Sequence, residues 1–387
     1  MSTLRVTNIE NPSTTSGGID IDTSGHVTVD GVAMPSSGPL SNRNLIINGA
    51  MQVAQRGTSS TGQTSAGYYS VDRFTLGPST AGTWSISQST DAPDNFAYSL
   101  KLDCTTANTS LSANSMLYYA QKIEGNNLQH LGFGTSNAKP LTFSFWVKSN
   151  KTGTYTSELY NEDSSRQISK TFTIDTANTW EHKVINFPAD TTGSFDADAN
   201  TSLWVFVHLG SGSDRNSGTL NDDAWAAVTN ADRISSSNVN LADSTSNEIF
   251  MTGWQLEVGS VATPFEHRSF EQELTLCRRY YQSNFPYGEA IAANSSFIAS
   301  SNPGNLSGGP RGHVSYFQPM RATPTLTFWN NHLAITGGAN NLVYNTSGSW
   351  ASTTASTSIN ACGFQYIPAA GPAGATYYFN WEVSAEL

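Results

Sequence analysis

The chain has 387 residues, of which 13% are charged and 37% hydrophobic, while roughly a third are Ser, Thr or Asn. An aromatic share of 11%, with nine Trp, excludes a chain that stays unfolded. The hydroxyl- and Gly-rich balance argues against a helical bundle, a coiled coil or a doubly wound nucleotide-binding enzyme. Nineteen basic against thirty acidic residues give a net charge of −11, too little positive charge to neutralise a phosphate backbone or to hold an acidic membrane surface, so no nucleic-acid or membrane partner is expected.

The length predicts about two or three domains. Residues 1–42 carry short alternating runs, Leu4 to Thr7 and His26 to Val29, separated by Ser and Gly. Strands this short bury too little apolar surface on their own, so the segment needs identical neighbours or a docking partner. Met34 to Pro39 reads as a linker.

Residues 43–267 are dense in strand signals. These include Leu45–Ile47, Arg73–Leu76, Thr83–Ile86, Tyr98–Leu102, Leu141–Val147, Lys170–Ile174, Thr179–Ile185, Leu203–Val207 and Ile249–Leu256. The pattern predicts an all-β fold, a two-sheet sandwich of jelly-roll type. Trp146, Trp204 and Trp254 fall within apolar strand patterns and are read as core, while Trp180, at a strand start, fits either face. The run from Leu203 to Leu209 is strand-length and interrupted by His208, so it does not span a membrane. Gly210 to Asn247 is a long connection of the kind that is usually functional or disordered. Asp222 to Val228 within it reads as a short helical turn, and Trp225 there either contacts a ligand or packs on the sandwich.

A helix is predicted over residues 268–280. Ser269 and Gln272 have capping-box spacing, and Phe270, Leu274 and Cys277 share one face. Residues 281–387 form a smaller C-terminal β domain, with Trp381 alternating between Phe379 and Val383 as a core residue should. Trp329, Asn331, His332 and Trp350 sit at turn-like positions among Asn and Gly. With Trp225 they are the candidate ligand contacts, because aromatic rings cover the apolar faces of sugars while Asn and His pair with hydroxyls.

No Gly-x-Ser-x-Gly, phosphate-loop or His-Glu-x-x-His pattern occurs. Ser136 to Lys139 matches Ser-x-x-Lys but lacks the helix and the partner motif of a serine acylase. Asp196 to Asn200 resembles the start of a calcium loop, but Thr201 and Val207 stand where Gly and Glu are needed, so a solvated turn is the better reading. Glu158, Glu162 and Asp163 are glycosidase carboxylates by type only. Cys104, Cys277 and Cys362 are odd in number and far apart, which excludes a disulfide framework. No catalytic set, metal or cofactor is expected. The N-terminus lacks the apolar core of a secretory signal, which points to folding in the cytoplasm.

The stretch Asn44 to Gly57 (NLIINGAMQVAQRG) resembles an opening phrase of bacteriophage tail-fibre proteins. The likeness continues at Tyr69 to Phe74, Phe143 to Ser149, Gly253 to Gly259, Ala262 to Arg268, Cys277 to Tyr281 and Met320 to Thr325. The resemblance implies a virion appendage, generally a homotrimer, resident in the tail. It further implies an N-terminal segment docked on tail proteins, a carbohydrate-binding-module-like sandwich and a distal C-terminal domain that meets a host surface glycan or protein. A structural tail connector and a tail-borne polysaccharide depolymerase are the alternatives.

Overall fold

A computed structural model of the chain describes residues 8–10, 18–23, 25–34, 41–288, 299–301, 304–306, 309–329, 342–345, 350–352, 358–366 and 377–387. They divide into two compact units. The first comprises Met1–Met51, Thr61–Gly67 and Phe74–Arg268, and the second Gln52–Ser60, Tyr68–Arg73 and Ser269–Leu387. The fold is all-β, and no helix among the described residues is long and apolar enough to cross a membrane.

The first unit begins with a four-stranded antiparallel sheet of β1 (Asn8–Glu10), β2 (Gly18–Ile21), β3 (Val27–Val29) and β4 (Val32–Ala33). Its register aligns Ile19 with Val29 and Val29 with Val32, so these aliphatic side chains share one face. That face is open, with Ile19 38% and Val32 48% exposed.

The sandwich follows. Its strands are β5 (Ser59–Gln63), β6 (Phe74–Ser79), β7 (Thr83–Ser89), β8 (Ser99–Thr106), β9 (Met116–Glu124), β10 (Leu141–Ser149), β11 (Gly153–Asn161), β12 (Arg166–Ile174), β13 (Glu181–Phe187), β14 (Thr201–Ser211), β15 (Ala226–Ala227) and β16 (Glu248–Val258). One six-stranded sheet has the order β13-β10-β16-β8-β7-β5, and the other β15-β12-β11-β14-β9-β6. The inner faces meet in an aromatic core. Trp254 of the first sheet sets its ring edge-on to Phe74 and Tyr119 of the second, at 5.2 and 5.8 Å between centroids, and Phe145 crosses to Phe172 at 5.1 Å. Such contacts each contribute about 0.5–1.5 kcal/mol beyond the area they bury.

The phrases that resemble tail fibres are structural in this unit. Asn44 donates its side-chain amide to the Trp254 carbonyl and accepts the Ile46 and Leu256 amides, which fastens the opening segment along β16. Gln255 and Glu257 are buried on the outer side of β16. Glu257 accepts both the amide and the hydroxyl of Thr263, and Gln255 accepts the Glu266 amide, so the segment 259–268 is folded back onto the sheet.

The long connection after β14 is anchored throughout. It holds a short helix α1 (Ser213–Asn216), but 222–228 is not the expected helical turn. Ala226 and Ala227 instead pair with Gln167 and Arg166 at the edge of β12. Trp225 is 6% exposed, edge-on to Phe133, and donates its indole N–H to the Pro188 carbonyl. Edge pairing and burial of this ring override a weak local helical preference.

The C-terminal stretch of the second unit opens with α2 (Phe270–Arg278), and Ser269 and Gln272 form the expected capping box. The buried side of α2 is Glu273 and Cys277, whereas Phe270 is 41% exposed and meets Tyr287 edge-on. Strands Tyr281–Ser283 and Thr325–Trp329 both pair with Tyr377–Ser384. Trp381 is buried in the small core with Tyr316, Met320, Phe328, Phe364 and Val383.

Candidate functional site

Successive strand residues point to opposite faces. On β14, Leu203, Val205, Val207 and Leu209 fill the core, so Trp204, Phe206 and His208 line the outer face. Trp204 is therefore half-buried on the outside, not in the core as its apolar neighbours implied. Trp146 is corrected in the same way, since it lies half-buried on the outer face of the other sheet, opposite His182. Where both faces of a strand carry apolar residues, alternation carries no signal for which side is in.

The three rings on β14 form a ladder. Trp204 and Phe206 are parallel within 5° at 4.9 Å, and Phe206 and His208 within 13° at 5.2 Å. Neighbouring strands complete the surface. Tyr118 on β9 stands edge-on to Phe206 at 5.1 Å, and Tyr160 on β11 pairs in register with Trp204. Gly77 on β6 leaves room for the Tyr118 ring, because a Cβ there would lie 2.2 Å from it. Polar groups rim the rings. Trp204 donates its indole N–H to Glu162 at 2.7 Å, and the Lys122 ammonium lies 4.1 Å from the Trp204 ring centre.

Beneath the inner end of the ladder is a buried charge cluster. Arg233, from the long connection, grips Glu158 in two-pronged fashion at 2.7 and 3.0 Å, and His208 Nε2 lies 2.8 Å from the same carboxylate. Glu158 and His208 are fully buried. Burial raises the Glu158 pKa, but Arg233 and His208 outweigh it and hold the carboxyl below its usual range. Burial lowers the His208 pKa against the pull of Glu158, so the imidazole is neutral near pH 7. A neutral ring beside an ionised carboxylate donates from Nε2, which leaves Nδ1 as an acceptor without a protein partner in the structure. The Arg233 guanidinium also lies 5.2 Å from the Tyr160 ring centre and 5.6 Å from that of Phe206, so one residue pins the connection and backs the rings. Phe206 and His208 are buried behind Trp204, so the rings open to solvent are the half-buried Trp204 and Tyr160, bordered by the Lys122 ammonium and the Glu162 carboxylate, a combination that suits a ring-shaped, hydroxyl-bearing ligand.

The residues singled out from the sequence lie elsewhere. Trp225 packs inside the connection. Trp329 is half-buried in the second unit, edge-on to Phe285, with its indole N–H donated to Glu382 at 3.1 Å. Trp350 opens a strand paired with Tyr344, and Asn331 and His332 lie outside the described residues. No group of three or more metal-binding side chains occurs among the described residues.

No protein-family model matches the sequence, and no curated protein matches it significantly. Among solved structures the chain is similar to the enzymatically active domain of tailspike protein 4 of bacteriophage CBA120, at 12% identity over 56% of this chain and 21% of that one, TM-score 0.27. It is also similar to a putative sugar binding protein of Bacteroides thetaiotaomicron, at 12% identity over 56% of this chain and all of that one, TM-score 0.32. A family 22 carbohydrate-binding module of Clostridium thermocellum gives 15% identity over 54% of this chain and 98% of that one, TM-score 0.26. The match thus spans about a fifth of the tailspike chain. At these identities and scores the likeness says nothing of ligand or activity.

Proposed function

We propose that this chain is a phage tail-fibre protein that attaches the virion to a host surface glycan, and that the half-buried Trp204 ring, with Tyr160 beside it at the outer end of the ladder, is its sugar-binding surface. The observation that carries the reading is the half-buried Trp204 ring, stacked on the buried Phe206 and His208 rings that the Arg233–Glu158 ion pair backs, and rimmed by Lys122 and Glu162. Rigid rings lose little conformational entropy on binding, which favours them as ligand platforms. The ordered tail-fibre phrases support the virion assignment. The open aliphatic face of the N-terminal sheet supports a docking role for residues 1–42 on tail proteins, since such a face gains most by being covered. Several copies on one appendage raise avidity, so a weak site per chain suffices. The reading assigns no catalytic step, because Glu158 is committed to Arg233 and His208.

The test is binding of the full chain to a printed array of bacterial surface glycans, beside the Trp204→Ala variant. The unaltered chain is expected to select a narrow set, and the variant to bind that set at least about tenfold more weakly, the equivalent of one lost ring contact. Equal binding by both proteins would remove the ladder from the proposal.

A further inference from the structure

The outer face of the other sheet carries a second set of aromatic rings that the ladder does not use. Trp146 on β10 and His182 on β13 are paired in register, with rings 5.0 Å apart. The β10–β16 pairing shifts register beside Trp146, where Gly253 takes a left-handed conformation at φ +64. A Cβ on Gly253 would lie 2.8 Å from the Phe96 ring and 3.1 Å from Trp146, so the bulge lets two rings close over bare backbone. Along the same face Trp180 stands edge-on to Phe250 at 6.3 Å and donates its indole N–H to Asp91, which also pairs with Lys148.

We propose that this face is a second carbohydrate platform, which takes a neutral pyranose ring against Trp146. It rests on the sugar-binding reading of the chain but on different residues. The chemistry selects a sugar over other occupants. A protein interface core is depleted in charge, and a membrane-binding surface sets an excess of Lys and Arg beside its apolar residues. Here rings alternate with an imidazole, an ammonium and a carboxylate, and Lys148 and Asp91 neutralise each other, which leaves hydrogen-bonding groups without a net attraction for an anion. Two platforms on the two sheets would let one chain hold two glycan segments at once.

The experiment uses the full chain on a printed array of neutral hexose and pentose oligosaccharides, followed by titration calorimetry with the strongest binder. The unaltered chain is expected to show two sites per chain. Trp146→Ala and Trp204→Ala should each show one, and the double variant should bind at least tenfold more weakly than either. Trp146→Phe keeps a ring and should restore the second site, which separates loss of binding from loss of folding. Binding and stoichiometry unchanged in Trp146→Ala would overturn this platform alone, whereas an array left blank by the unaltered chain would count against both faces.

Discussion

The guanidinium of Arg73 lies 3.3 Å from the centre of the Tyr280 ring. The arrangement is repeated one residue along, where Arg56 lies 3.7 Å from the Tyr281 ring, and both arginines pair with Glu386. Three stretches of the tail-fibre resemblance, around Arg56, Arg73 and Tyr280–Tyr281, thus converge within the second unit on one carboxylate close to the last residue of the chain. Arg suits this place because its planar cation stacks on a ring and bridges a carboxylate at once, which Lys does not.

Glu386→Gln is expected to destabilise the second unit by about 3–5 kcal/mol, because it leaves two buried guanidiniums short of their shared counter-charge. The measurement is denaturant unfolding of the full chain followed by proteolysis of the second unit. A shift of a few tenths of a kcal/mol would show that water or a neighbouring group compensates the arginines.

The same cluster holds a second carboxyl, Asp72, whose ionised form burial disfavours. Burial raises the Asp72 pKa from 3.8 to about 6, against the lowering pull of Arg56 and of the Gln55 amide groups. A raised folded pKa means that this contribution to stability is fully present below pH 3.8 and is lost as pH rises through about 6. The Asp72→Asn variant removes the titration. The difference in stability between variant and unaltered chain should therefore change between pH 4 and pH 7, in the direction that favours the variant at the higher pH. A pH-independent difference would count against a raised Asp72.

Glu158 has the reverse sign. Its lowered folded pKa makes its contribution present above its ordinary value of 4.5 and lost as pH falls through the folded value. Glu158→Gln should weaken the Arg233 anchor at every pH above that range, with a cost of about 3–5 kcal/mol for stranding a buried cation. The local readout is limited proteolysis between residues 212 and 240, which should be cut faster in the variant than in the unaltered chain.

The strands and the helix cap were legible because period-two alternation and the Ser269–Gln272 spacing are local. Trp381 and Trp254 sit in strands whose alternation points them inward, and both are buried. The ladder was not legible. Leu203 to Leu209 is apolar on both faces, since its outer rings pack on one another and on Arg233, a residue supplied from about thirty positions downstream. Trp225 illustrates the converse, since a ring in a polar connection looks available until the Pro188 carbonyl and the Phe133 ring close around it. In both places the deciding contacts are distant in sequence.

Two glycines separate crowding from strain. A Cβ on Gly49 would lie 2.1 Å from the Trp254 carbonyl oxygen, a backbone atom that cannot swing away, and the Gly49 carbonyl already accepts the Trp254 amide. Gly49→Ala must push the opening segment off β16 and should cost at least about 1–3 kcal/mol, the range of an overpacked core. Gly62 has nothing within 4 Å of its Cβ position but holds φ +75, so Gly62→Ala should cost only about 1–2 kcal/mol, through backbone strain alone. The distinguishing measurement is amide hydrogen exchange. Only the Gly49 variant should speed exchange at Trp254 and Leu256, whose amides are bonded to the displaced segment. Equal protection of those amides in both variants would show that the opening segment moves without loosening the sheet.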